Sequence, residues 1–132
     1  MRFGFFDQLP YADSQSESQR YQDIIAQIEL GDDLGFNTAW LGELHFGRSS
    51  SILACPLMIL AAAAQRTKRI RLGTAVTLLP LHSPVKMAEE AATADIHMDE
   101  FIGYFNQGGL VEHATVRRSM ELFATEVMPR CR

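Results

Sequence analysis

Two ionisable side chains stand two residues apart in "TAWLGELHFGR", Thr38 to Arg48: Glu43 and His45. Side chains on an extended chain repeat every second residue, so the carboxylate and the imidazole share one side. Such a pair can move protons if it reaches a reacting group and its proton affinities suit the task. The same pair can equally well satisfy buried polar groups at the rim of a folded core. The other histidines offer less: His82 precedes Ser83–Pro84 and reads as a loop or cap residue, and His113 opens a helix. No His, Cys, Asp or Glu spacing matches a metal site, and no serine or cysteine sits in a nucleophile motif.

The elements that must position Glu43 and His45 follow from hydrophobic period. "RFGFF" (Arg2 to Phe6) is a short apolar strand, stopped by the turn-prone "DQLPYADSQSES". From about Ser18 the period changes: Tyr21, Ile24, Ile25, Ile28 and Leu34 form a helical stripe that Gly35 ends. "NTAWLGE" predicts a second strand, which places Glu43 and His45 at its carboxyl end. "CPLMILAAAAQRTKR" predicts a helix with Pro56 in its first turn. "IRLGTAVTLLP" (Ile70 to Pro80) predicts a third strand, and "HSPVKMAEEAATADI" a third helix with Ser83 as N-cap. This β-α-β-α-β-α alternation predicts a parallel sheet with right-handed connections. After Ile96 the rhythm breaks. No full strand is expected there, only a turn at Gly108–Gly109, an aromatic cluster of Phe101, Tyr104 and Phe105, and a final helix. That helix carries a stripe of Val116, Met120, Phe123 and Val127 and stops at Pro129.

Bulk properties exclude several functions. The chain has 132 residues, 47% hydrophobic, with a net charge of −4. That charge gives no footprint for nucleic acid or an anionic membrane. Two cysteines, Cys55 and Cys131, are too few for a disulfide framework and read as buried or incidental thiols. No leader peptide or membrane-length apolar run is read, so a soluble cytoplasmic protein is expected.

"MRFGFF", "GFNTAWLGELHF", "RIRLGTAVTLLPLHSPVKMAEEAATAD" and "YFNQGGLVEHATVRRSMELFATEVMPR" together resemble the bacterial luciferase-like, flavin-dependent monooxygenases. Residues 1–96 resemble the family's N-terminal barrel units and residues 102–132 its C-terminal end, with a junction at 97–101. The resemblance implies a partial (β/α)₈ (TIM-type) barrel of about three βα units plus a C-terminal helix, in one truncated domain. A full barrel of this type takes about 250 residues. The middle is missing, through an internal deletion or a natural short reading frame; His97–Met98 at the seam is also the dipeptide encoded by a common cloning site. Fewer strands leave open edges, so a dimer or larger assembly of partial barrels is expected.

The resemblance also implies chemistry. Reduced FMN would activate O2 to oxygenate a small organic substrate, with a flavin reductase as a possible partner; a deazaflavin serves the same barrel in other members. Glu43 and His45 belong to the family's Glu-His-His-Phe motif and would be catalytic. Phe6, Glu43, Ala75 and Val76 would line the cofactor, and the Ala75–Val76 bond falls where some members carry a cis peptide. Leu44 stands where luciferases have the first histidine, which argues against luciferase chemistry proper. The family's main phosphate contacts lie in the missing middle. A non-catalytic, self-associating fragment is the alternative.

Overall fold

The computed structural model describes residues 1–10, 12, 14–47, 50–94, 100–105 and 112–130. Four parallel strands, β1 (Gly4–Asp7), β2 (Thr38–Leu41), β3 (Arg71–Thr77) and β4 (Glu100–Gly103), lie in the order β1-β2-β3-β4. Helices α1 (Glu17–Leu34), α2 (Pro56–Ala64) and α3 (Pro84–Ala94) connect them, and α4 (His113–Leu122) follows β4. The described residues therefore build four βα units where the sequence predicts three and a closing helix. β4, as short as β1 and β2, is set by its non-local pairing with β3, which contains a β-bulge. The His97 and Gly108–Gly109 readings lie outside the described residues.

The helix ends form for local reasons. The Ser16 side chain accepts from the Gln19 N–H at the start of α1, and Gly35 (φ 83°) closes it in the left-handed region. Pro56 and Pro84 open α2 and α3, where a missing N–H costs nothing. The last helix ends differently from its sequence stripe. A π-helical stretch (Phe123–Val127) and a 3₁₀ turn (Met128–Arg130) continue α4, with Pro129 inside the turn. Of the stripe only Val127 is fully buried, and Met120 is exposed.

Successive helices pack against one another, α1 on α2 and α2 on α3, and the π-helical stretch packs on α3. Strands advancing in one direction with right-handed crossovers put the connecting helices α1, α2 and α3 on one face. The core lies there: Ile24 and Ile28 of α1, Ala39 and Leu41 of β2, Leu60 and Ala63 of α2, and Leu72 of β3. Phe5 and Asp7 of β1 point to the same side; Asp7 meets the buried Arg20 of α1 at 2.7 and 2.8 Å. Alternation sends Gly4, Phe6, Trp40, Gly73, Ala75 and Ile102 to the other face, and the core helices α1 and α2 lie on the opposite one. Phe6 is 55% exposed and Ile102 43%.

A second clamp ties α1 to the edge of β3. The Asp32 carboxylate accepts from the N–H groups of Lys68 (2.8 Å), Arg69 (3.0 Å) and Ile70 (2.7 Å). Burial resists its ionisation, but those three donors and the nearby Arg69 guanidinium outweigh burial and hold the carboxyl below its usual range. No helix among the described residues is long and apolar enough to cross a membrane.

Candidate active site

The carboxyl ends of the strands converge, and Glu43 is their meeting point. Its backbone N–H donates to the carbonyl of Val76 (3.0 Å), tying the end of β2 to β3. Its carboxylate is 2% exposed. A buried carboxylate must be paired, and three donors pair this one. The Leu78 N–H donates at 2.8 Å, His45 Nε2 lies 2.5 Å from Oε1, and His82 Nε2 lies 2.9 and 3.0 Å from the two oxygens. The alternation argument therefore holds: Glu43 and His45 are in contact.

His82 is the residue that sequence reasoning undervalued. It does cap the 3₁₀ turn Leu79–Leu81, with its N–H on the Leu79 carbonyl at 3.1 Å. Its ring, however, reaches Glu43 from 39 residues away. The usable signal was its position just past the carboxyl end of a strand, where barrel sites collect.

Both imidazoles present Nε2 to the same carboxylate. In their neutral forms each therefore carries its proton on Nε2 and leaves Nδ1 as an acceptor. Glu43 itself is enclosed, whereas the side chains of His45 and His82 are 25% and 26% exposed. The enclosed carboxylate holds both rings by their Nε2 atoms. They open onto different hollows. His45 lines a shallow one with Leu44, Phe46 and Ser51. His82 lines a cavity of about 290 Å³ with Leu79, Met87, Phe105, Ser119 and Phe123, closed on one side by α4. Phe105 meets Phe123 of the last helical segment edge to face at 5.7 Å, a pairing outside the expected cluster of Phe101, Tyr104 and Phe105. Tyr104 instead stays partly exposed.

Ala75–Val76 is a cis peptide in β3, at the position the family resemblance named. Beside it lies Gly42. A Cβ there would come within 2.8 Å of Gln8 Cγ, 2.9 Å of the Ala75 carbonyl oxygen and 3.0 Å of the Phe6 ring. Gly42 thus lets three strand ends close up, leaving a low shelf of Gly42 and Ala75 next to Phe6 and Trp40. Gly42→Ala should destabilise the fold by about 2 kcal/mol, seen as a lower urea midpoint, because backbone must move to admit the methyl group. An unchanged midpoint would show that the strand ends are not in close contact.

The loop beneath the shelf is braced as well. Leu9 sits in the left-handed region (φ 52°), fully buried, with its N–H on the Asp7 carboxylate. The Tyr21 hydroxyl donates to the Ile52 carbonyl at 2.5 Å, and burial, helped by Glu17, raises its proton affinity. Among the described residues no cluster could hold a metal ion.

The comparisons with known proteins meet this geometry. A profile described as luciferase-like monooxygenase matches residues 1–99. The oxygenase component of the flavin-dependent trigonelline monooxygenase of Acinetobacter baylyi is 35% identical over 97 residues, 73% of this chain and 27% of its own. Limonene 1,2-monooxygenase of Rhodococcus erythropolis is 45% identical over 84 residues, 64% of this chain and 21% of its own. Among solved structures, the oxygenating constituent of 3,6-diketocamphane monooxygenase from Pseudomonas putida, in complex with FMN, superposes with a TM-score of 0.76 at 21% identity. That match covers 92% of this chain and 38% of the solved one, and it shows the fold alone. The chain spans about a quarter of the length of these curated relatives. Four parallel βα units with their polar cluster at the strand ends, matched by the profile over three quarters of the sequence, make this chain a member of the luciferase-like monooxygenase family.

Proposed function

We propose that the chain carries the ring-binding part of a flavin-dependent monooxygenase site and that, alone, it is an impaired enzyme. The observation that carries the reading is the Glu43 carboxylate holding His45 and His82 beside the Gly42–Ala75 shelf. When bound, reduced FMN would supply the activation of O2 for oxygenating a small organic substrate, and a separate reductase would deliver the reduced cofactor. This chain's residues would do the rest. Phe6, Ala75 and Val76 would give the flat ring a surface. His45 and His82 would hold or accept a proton at Nδ1, and Glu43 would fix their orientation. The cavity beside His82 suits a small apolar substrate.

The residues fit the ring end of a flavin and not its phosphate end. Arg20, at the start of α1, is engaged by Asp7 and by the Pro10 carbonyl. The described strand ends supply no phosphate-cradling glycine loop. We assign the missing contacts to a barrel middle lost at the 97–101 junction, of which Glu100 and Phe101 already belong to β4.

Trp40 is the chain's one tryptophan and lies on the face of the shelf, so its fluorescence reports flavin there. Oxidised FMN should quench it with a dissociation constant of roughly 0.1 mM, near −5.5 kcal/mol. Riboflavin should bind as tightly as FMN, because the phosphate finds no partner; a deazaflavin should quench similarly. No quenching at saturating flavin would leave the second reading, a non-catalytic, self-associating partial barrel, which the uncovered face of the sheet favours.

A further inference from the structure

We infer that two copies of this chain close into one eight-stranded barrel, β4 of each lying beside β1 of the other. The inference rests on the self-association just described and is independent of flavin. Every strand pairs with its sequence neighbour alone, so β1 and β4 each keep one edge with no further strand among the described residues. Unpaired parallel edges recruit another strand. The connecting helices α1, α2 and α3 are on one side, and the opposite face bears the partly exposed Phe6 and Ile102. Four parallel strands with helices outside are half of an eight-stranded barrel, and a two-fold axis along the barrel supplies the other half. The same edge-to-edge contact occurs twice and then no edge remains. The occupant of the bare face is therefore a second copy, contributing the same face inward.

The closure also sets a register. A barrel of this type accumulates a stagger of about eight residues around its circumference, so each half must supply about four. Within the chain, Phe6, Trp40, Gly73 and Glu100 stand level. A shift of about four residues one way sets Ile102 beside the partner's Gly4 and Tyr104 beside the partner's Phe6. Shifting the other way carries β4 to Pro10, which has no N–H to donate to a ladder. The first register is the one that pairs both strands, and it brings two partly exposed aromatic side chains together.

The test uses the full chain with Cys55→Ser and Cys131→Ser as background. Light scattering should give twice the 14.8 kDa of one chain. Mild oxidation of the Phe6→Cys/Tyr104→Cys double variant should give a covalent dimer. In one chain these positions lie three strand spacings apart, roughly 14 Å, beyond the reach of a disulfide. Each single-cysteine variant should stay uncrosslinked. Ile102→Lys, at a site exposed in one chain and enclosed in the barrel, should halve the mass while leaving the far-ultraviolet spectrum unchanged. A monomeric parent protein would overturn both the closure and the self-associating reading. A ladder of larger species, or crosslinking by the single variants, would overturn closure alone.

Discussion

Glu43→Ala should cost about 4 kcal/mol of folding stability, the larger part of what many domains possess. The substitution removes the acceptor of the buried Leu78 N–H and the shared partner of two histidines, and leaves space where the carboxylate stood. An orphaned buried donor accounts for about 1–3 kcal/mol of the loss, and the vacated volume and lost charged hydrogen bonds for the rest. Glu43→Gln keeps the shape and one acceptor oxygen, so it should cost about half as much. Urea unfolding measures both. Nitrogen chemical shifts of the imidazoles separate orientation from bulk stability: the Nε2-protonated form should dominate at His45 and His82 in the parent protein and lose that dominance in both variants. Unchanged ring signals would show that the carboxylate does not orient the histidines.

Asp32→Ala should cost about 3 kcal/mol at neutral pH, because three backbone N–H groups lose one acceptor together. Ile70 is the costliest of the three, being buried, while Lys68 and Arg69 can turn to water. The penalty should depend on pH in a definite direction. Asp32 has its carboxyl held below the ordinary value of 3.8 in the folded chain. Its contribution is therefore fully present above about pH 4 and is lost as pH falls through the lower folded value. The gap between parent and variant should narrow as the medium is acidified below pH 4, and stay constant from there up to neutrality. A gap that widened in acid would contradict the arrangement.

Sequence and structure agree where one local rule settles an element. Gly35 ends α1 because its left-handed backbone favours a residue without Cβ, and Pro56 opens α2 because the first turn needs no N–H. The first three βα units, and the contact of Glu43 with His45, follow from period alone. What escaped is non-local. His82 joins the cluster only after β3 has been laid beside β2, and no spacing of 39 residues announces that. β4 is no shorter than β1 or β2, but its pairing with β3 decides its conformation. The last helix shows a further failure: its stripe predicts burial of Met120, yet Met120, ahead of the π-helical stretch, is exposed, while Val127 at the end of that stretch is buried. Leu34 likewise belongs to the stripe of α1 and projects into solvent.

The strand order has a consequence for synthesis. Each strand docks on the one that left the ribosome before it, so no part of the sheet waits for the end of the chain. The growing polypeptide can add one βα unit at a time to a surface already formed. A gene built this way can lose or gain whole units at one seam and still encode something that folds, and the same economy leaves each intermediate length with an edge to hide.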